Sequence, residues 1–213
     1  MLHEWKRTEK KFYLPGTKPE LINIPAFRFF SVEGKGDPND KFFAEYIGVL
    51  YSLSYAIKMS PKKGIAPEGY FEYAVYPLEG VWDISDEAKK APSAKLDKNS
   101  LIFNLMIRQP DFVNQEFAEE IIKLTKKKKP HPLLDKARFE FISEGDCIQM
   151  MHIGSYDNEP ASFKKMEEYC LAQKLSRESK IHREIYISDA RRVSPDKLRT
   201  VLRFRIQSGL LSL

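Results

Sequence analysis

The segment IHREIYIS at residues 181–188 alternates apolar and polar side chains, a pattern that predicts a β-strand with two unlike faces. Ile185 and Ile187 lie on one face, and the other face presents His182, Glu184, Tyr186 and Ser188. If the isoleucines pack beneath helices, Glu184 and Tyr186 face a sheltered trough, where a partly desolvated carboxylate serves as a proton acceptor or as a partner for a cation. The same alternation also fits a half-exposed strand whose polar side faces water.

The chain repeats one order of elements in its two halves. Residues 75–79 (VYPLE) align with residues 185–189 (IYISD), and each half reads as strand, glycine turn, helix start with Asp and Pro, helix, strand and strand. Glu79, Gly80 and Trp82 follow the second strand and are predicted in a loop. The predicted strands cover residues 27–34, 70–78, 101–108, 137–143, 147–154, 181–188 and 198–206, and the predicted helices cover residues 39–59, 112–124 and 157–175.

Together these elements predict an α+β fold. Duplicated strand-helix-strand-strand units form a curved antiparallel sheet, with helices on one face and a ligand cleft at the pseudo-two-fold axis. Residues 1–25 are polar and interrupted by prolines, and we interpret them as a lead-in that contributes no core element. Residues 26–213 then form one domain of two pseudo-repeats, at about 26–130 and 137–208.

Composition narrows the class of protein. The chain has 213 residues, with 35 Lys and Arg against 30 Asp and Glu, and 42% of its residues are hydrophobic, as in ordinary globular domains. No apolar run approaches the roughly 20 residues that a membrane helix needs, and the first residues lack the apolar core of a signal peptide. Cys147 and Cys170 are too few for a disulfide framework. We therefore expect a cytoplasmic protein with no membrane partner.

The sequence gives little support for nucleic-acid binding, metal binding or a cysteine nucleophile. The net charge of +5 is modest, and the arginines at residues 191–205 lie beside no groove-entering helix or stacking platform, which argues against a nucleic-acid partner. His152, His182 and Glu184 lack the local spacing of metal ligands, so we expect no metal and no cofactor. A nucleophilic Cys147 paired with His152 lacks a third, orienting residue.

Two blocks of sequence carry a family resemblance. The first joins YFEY at residues 70–73 to YPLEGVW at 76–82, and the second joins HREIYISD at 182–189 to RR at 191–192 and KLRTVLR at 197–203. Together they resemble the GyrI-like small-molecule-binding family, and more closely its stand-alone bacterial branch, over about residues 25–206. The family pattern expects a proline after Asp189, where this chain has Ala190.

The resemblance implies a fold, a ligand class and a set of site residues. Similar domains bind flat, often cationic, hydrophobic compounds over a buried glutamate at the pseudo-dyad. That glutamate corresponds to Glu184, and the aromatic residues of the cleft correspond to Tyr186 and Trp82. Tyr76 is added through the internal repeat, and His182 is added as a ligand-binding residue beside Glu184.

Some stand-alone members of the family are hydrolases that open the cyclopropane of DNA-alkylating cyclopropanoid natural products. The resemblance therefore implies a detoxifying hydrolase in which Glu184 activates water and Tyr186 holds that carboxylate or donates to the developing phenolate. Trp82 and Tyr76 stack on the planar substrate. The alternative is a non-catalytic binder or sensor of planar hydrophobic or cationic compounds. Both share one fold and cleft, so the sequence leaves the choice open, as it does the oligomeric state.

Overall fold

The computed structural model describes residues 2–90 and 97–207. The β-strands are β1 (Glu20–Ile24), β2 (Phe27–Lys35), β3 (Leu78–Ile84), β4 (Leu101–Gln109), β5 (Arg138–Ile142), β6 (Gly145–Ile153), β7 (His182–Tyr186) and β8 (Arg199–Arg205). The α-helices are α1 (Trp5–Thr8), α2 (Lys10–Tyr13), α3 (Phe43–Lys58), α4 (Asp86–Lys90), α5 (Gln115–Lys128) and α6 (Glu159–Ala172). Short 3₁₀ turns occur at Ser60–Lys63, Lys98–Ser100, Pro132–Asp135, Tyr156–Asn158 and Pro195–Lys197.

The chain divides into two compact units that are interleaved in sequence. The first unit comprises residues 2–5, 27–90 and 97–142, and the second comprises residues 6–26 and 143–207. The strand order is β3-β4-β2-β5 in the first unit and β1-β6-β8-β7 in the second, and every pairing is antiparallel. Each unit therefore contains a strand-helix-strand-strand sequence with one added edge strand, and the α+β class is confirmed.

In the first unit, α3 packs on the sheet through a close approach at Gly34. Gly34 pairs with Phe103 of the neighbouring strand, and a Cβ atom at residue 34 would lie 2.4 Å from the Phe103 ring. The missing side chain lets that ring lie over the strand and meet Tyr46 of α3, with ring centroids 5.3 Å apart. Glycine is therefore required here by contact and not by a turn.

In the second unit, both faces of the sheet are covered. On one face α6 packs over an apolar cluster formed by Ile148, Met150, Met166, Cys170, Leu202, Phe204 and Ile206. On the other face the N-terminal segment is held by side chains of the sheet. Arg203 Nη2 donates to the Phe12 carbonyl at 2.8 Å, and Gln149 Nε2 donates to the Lys11 carbonyl at 2.7 Å.

The N-terminal segment thus differs from the expectation that it contributes no core element. Phe12, Tyr13 and Ile24 are all buried. These residues lie in short apolar stretches, at residues 12–14 and 21–24, that are broken by polar residues and prolines, so no sustained periodic pattern marks the segment in the sequence. They are buried because the N-terminal segment packs on the second face of the sheet. This burial depends on tertiary packing, which the local sequence does not show.

The predicted strands at residues 27–34, 101–108, 137–143, 147–154 and 198–206 are confirmed by β2, β4, β5, β6 and β8. The predicted strand at residues 70–78 is wrong, because β3 begins at Leu78 and contains Glu79, Gly80 and Trp82, which the sequence assigned to a loop. Residues 70–77 are rich in aromatic side chains that pack irregularly, and Pro77 has no N–H for a ladder. Aromatic residues are common in strands, so the aromatic content of this segment led to the wrong prediction.

The helix predicted from residue 39 begins at Phe43, after turns in which Asp37 Oδ1 accepts from the Asn39 N–H at 2.8 Å. The polar residues 83–100, with Pro92, predict a surface excursion. Strand β3 instead runs to Ile84, and residues 91–96 lie outside the described part of the chain. Across residues 2–90 and 97–207, no helix has the length and apolar character needed to span a membrane.

Candidate functional site

Strand β7 presents His182, Glu184 and Tyr186 on one face, as the alternation predicts. Glu184 lies directly opposite Leu202 in β8, and directly paired residues of an antiparallel sheet point to the same side. Leu202 belongs to the apolar cluster beneath α6. The face that carries Glu184 is therefore the face that α6 covers.

This orientation corrects the expectation that the isoleucines of β7 pack beneath the helices and that Glu184 faces away from them. Ile185 is fully buried on the opposite face, which it shares with Arg183 and Arg203. Its burial comes from the cover that the N-terminal segment provides for that face. A buried isoleucine thus does not identify the helical side of a sheet that is covered on both sides.

The side chain of Glu184 meets a second carboxyl group, that of Glu159 at the start of α6. The two carboxyls interact by charge and by a hydrogen bond, and both interactions favour the protonated form of Glu159. Glu159 is 6% exposed, and the side chain of Glu184 is 12% exposed. Burial raises the pKa of Glu159 far above its usual value, and the charge of Glu184, the hydrogen bond to it and the charge of Asp157 add to the effect.

Two further features of Glu159 concern its unpaired oxygen atom and its position at a helix N-terminus. Oε1 of Glu159 has no hydrogen-bond partner among the described residues, although the atom is buried. A negative charge at a helix N-terminus is normally favoured by the helix dipole. Burial outweighs that effect here and favours the protonated form of Glu159.

His182 also contacts Glu184. Its Nε2 lies 3.2 Å from Glu184 Oε1, and its Nδ1 lies 3.3 Å from the carbonyl oxygen of Lys180. Each nitrogen of the His182 ring therefore has an oxygen atom within hydrogen-bond distance. The ring packs edge-on against Phe163 of α6, with centroids 4.7 Å apart, which fixes the side chain between helix and strand.

Tyr156 stands beside Glu184 in the turn before α6. Burial raises the pKa of its phenol to about 12, and the charges of Glu184, Glu159 and Asp189 act in the same direction. The hydroxyl therefore stays protonated and available as a donor. The ring contacts Tyr186 edge-on at 6.0 Å between centroids, and 38% of the residue is exposed, so the pair reaches solvent. We call His182, Glu184, Tyr186, Tyr156 and Glu159 the carboxyl cluster.

The turn that follows β7 forms although Ala190 stands where the family pattern expects proline. The carbonyl of Asp189 accepts from the N–H groups of Arg192 and Val193 at 2.9 and 3.1 Å. Hydrogen bonds from the side chain and backbone of Arg191 lower the pKa of Asp189 to about 2. The aspartate is thus a fixed negative charge that holds the turn in place of a proline ring.

Trp82 and Tyr76, the other two predicted ligand-binding residues, belong to the first unit. Trp82 is 5% exposed, and its ring stacks on Phe43 of α3 with centroids 6.0 Å apart. Tyr76 is 3% exposed, its ring lies 4.7 Å from the Arg108 guanidinium, and its hydroxyl lies 3.4 Å from His3 Nε2. The two rings thus belong to separate aromatic groups.

The structure therefore brings Glu184, Tyr186 and His182 together and adds two residues that the sequence reasoning missed. Residues 157–160 were interpreted as a helix start, where acidic residues are ordinary. The functional signal of Glu159 becomes visible only when the first turn of α6 is set against the polar face of β7. Among the described residues, no three His, Cys, Asp or Glu side chains are placed to hold a metal ion.

Comparison with known proteins identifies the class. A model of the GyrI-like small molecule binding domain matches residues 17–207, and the chain therefore belongs to the GyrI-like family. No curated protein matches the chain in sequence.

Solved structures agree with this assignment. A hydrolase from Listeria innocua is 33% identical, with a TM-score of 0.85 over 96% of this chain and 100% of that one. An uncharacterised conserved protein from Listeria innocua is also 33% identical, with a TM-score of 0.87 over the same shares of the two chains. The C-terminal domain of EcmrR, at 13% identity and a TM-score of 0.52 over 90% of this chain and 98% of that one, shares the fold alone.

Proposed function

We propose that this protein is a hydrolase that opens the strained ring of cyclopropanoid electrophiles by adding water, and so detoxifies them. The observation that carries the proposal is the Glu184 carboxylate, held between the protonated Glu159 and the ring of His182. Membership of a small-molecule-binding family and similarity to a Listeria hydrolase support it. A carboxylate that is oriented and largely desolvated is suited to accept a proton from water.

The reaction needs one base and one donor. The oxygen of water forms a bond to the cyclopropane CH₂ carbon, the strained C–C bond breaks, and its electron pair passes through the conjugated dienone to the carbonyl oxygen. Glu184 takes the proton that the water loses. The dienone becomes a phenolate, which Tyr186 or Tyr156 stabilises by donating a hydrogen bond before it takes up a proton. The net change is the addition of one water molecule.

Glu159 has a defined part in this scheme. As a neutral acid it donates a hydrogen bond to Glu184, which orients the carboxylate without adding a second negative charge. Two neighbouring ionised carboxylates repel each other, so a proton retained on Glu159 lets both groups occupy a buried position.

The proposed stacking residues Trp82 and Tyr76 are tested by substitution. An aromatic contact with a planar ligand contributes on the order of 0.5–1.5 kcal/mol beyond area burial. We expect Trp82→Phe to keep binding and Trp82→Ala to weaken it.

The proposed compartment is the cytoplasm, which is supported by two buried free thiols, Cys147 and Cys170.

The test is to incubate purified protein with a spirocyclopropyl cyclohexadienone and to follow the ring-opened phenol by absorbance and mass spectrometry. We expect product with the wild type and with Glu120→Gln, an exposed glutamate of α5 that serves as a matched control. We expect product formation to be about 10²–10⁴-fold slower with Glu184→Gln. Equal product from Glu184→Gln and the wild type removes Glu184 from the mechanism.

The second candidate function is a non-catalytic binder or sensor of planar hydrophobic or cationic compounds. It is favoured by the two tyrosine rings beside the carboxylates of Glu184 and Asp189, an arrangement suited to a flat cation. Saturable binding of a planar aromatic cation by calorimetry, with no ring opening of the dienone by the wild type, supports this function over the hydrolase.

A further inference from the structure

A buried histidine outside the carboxyl cluster ties together the two ends of the segment that carries Tyr156 and Glu159. His152 lies in β6 and is 4% exposed. Its Nδ1 lies 2.9 Å from the hydroxyl oxygen of Ser162, and its Nε2 lies 3.0 Å from the carbonyl oxygen of Ser155. Both ring nitrogens therefore have a partner.

The partners fix the tautomer. A carbonyl oxygen only accepts, so the proton sits on Nε2 and is donated to Ser155. Nδ1 then accepts the hydroxyl proton of Ser162. In this tautomer the ring makes both hydrogen bonds with no polar atom left over, as buried polar groups normally do.

The two hydrogen bonds of His152 lie on either side of Tyr156 and Glu159 in the sequence. Ser155 directly precedes Tyr156, and Ser162 follows Glu159 by three residues, about one turn along α6. Gly154 between β6 and Ser155 has a φ of +131°, a conformation that favours glycine, and a Cβ there would lie 3.7 Å from His152 Nε2. The turn at Gly154 thus brings the Ser155 carbonyl back over the histidine ring.

The start of α6 needs such an anchor. Asn158, the residue before the helix, makes no side-chain capping hydrogen bond, and the turn that leads into the helix is capped at Ser155, whose hydroxyl accepts from the Asp157 N–H at 3.3 Å. First turns of helices fray when their N–H groups have no cap. A displacement of about 1 Å at a catalytic group costs a large part of the rate, so the position of Glu159 against Glu184 has to be fixed by other contacts.

We infer that His152 is a positioning residue that holds Tyr156 and Glu159 against Glu184, by hydrogen bonds to Ser155 and Ser162. The inference rests on the proposed function for its catalytic meaning, but the positioning itself is measurable without turnover. His152 touches the segment and not the reacting atoms.

The measurement is the titration of Glu159, followed by NMR of protein labelled with ¹³C at the glutamate carboxyls. The Glu159→Gln variant assigns the resonance. The folded wild type, Ser162→Ala, His152→Ala and His152→Gln are then compared. Ser54→Ala serves as a matched control, because it removes another buried serine hydroxyl, one that bonds Leu50 and Gln109 in the first unit.

We expect the Glu159 midpoint to fall by about one unit or more in Ser162→Ala and His152→Ala, because the loosened segment lets water reach the carboxyl. His152→Gln keeps a donor for the Ser155 carbonyl and restores part of the shift. Ser54→Ala leaves the midpoint unchanged. If His152→Ala does not fold, Ser162→Ala alone decides, since it removes one hydroxyl.

An unchanged midpoint in the folded Ser162→Ala variant overturns the inference. This outcome is distinguishable from failure of the proposed function, in which the wild type opens no dienone while the titration still responds to Ser162→Ala. Where the wild type is active, we expect Ser162→Ala to lower kcat several-fold with little change in KM, because the substrate contacts remain.

Discussion

Glu159→Gln is expected to remove a pH-dependent loss of stability that the wild type carries. Burial, the charge of Glu184 and the hydrogen bond to it raise the pKa of Glu159 far above its ordinary value of 4.5. Between those two values the folded state binds one proton more than the unfolded chain. The free energy of unfolding of the wild type therefore falls by about 1.4 kcal/mol for each unit of rising pH in that window.

The size of the effect at neutral pH follows from this slope. Stability contributed by the protonated carboxyl is fully present below the unfolded pKa and is lost as pH rises toward the folded one. Over the roughly 2.5 units between 4.5 and pH 7 the loss amounts to about 3 kcal/mol. A glutamine of the same size keeps a hydrogen bond to Glu184 and has no such slope, although burying its second N–H takes back about 1 kcal/mol. We expect Glu159→Gln to be about 2 kcal/mol more stable than the wild type at pH 7.

The assay is urea unfolding followed by tryptophan fluorescence at several pH values between 4.5 and 8. The stability difference between Glu159→Gln and the wild type should grow with pH, while Glu120→Gln should follow the wild type throughout. A difference between Glu159→Gln and the wild type that stays constant across this range refutes the reasoning, because it shows that Glu159 loses its proton in both states alike.

Two further predictions concern the framework of the two units. Although burial opposes it, the charges of Arg183 and Arg203 lower the pKa of Glu144, whose oxygens lie 2.9 and 3.1 Å from Arg183 Nε and Arg203 Nη1. Glu144→Ala leaves two buried cations without this partner and should lower the free energy of unfolding by about 3–5 kcal/mol, whereas a loss below about 1 kcal/mol in urea unfolding contradicts this role. Gly34→Ala drives a methyl group into the Phe103 ring and should cost about 1–3 kcal/mol, and an unchanged thermal midpoint contradicts the close approach.

The local sequence pattern was sufficient to predict which side chains share a face where one face of a strand is polar and the other is apolar. The alternation in residues 181–188 predicted that His182, Glu184 and Tyr186 share a face, and β7 has that arrangement. The local sequence pattern gave a wrong prediction where the backbone conformation is set by side-chain packing and not by pairing between strands. The aromatic residues at 70–77 resemble a strand by composition, yet they fill space around Tyr73, which is fully buried.

The carboxyl cluster was predictable only in part because it joins residues about 25 positions apart. Glu184 stood out within its own strand, whereas Glu159 looked like an ordinary acidic residue of a helix start. Its unusual protonation arises when α6 packs against β7 and removes both carboxyls from water. The side of the sheet that Glu184 faces was also beyond local pattern, since Ile185 is buried by the N-terminal segment and not by a helix.

The most direct test of the account is to measure, for the wild type and Glu184→Gln, the single-turnover rate constant of dienone ring opening together with the dissociation constant of the ring-opened product. We expect the rate constant to fall by about 10²–10⁴-fold with the dissociation constant nearly unchanged, as the loss of a proton acceptor requires. Equal rate constants, or a loss that appears entirely in binding, contradict the claim that Glu184 activates water.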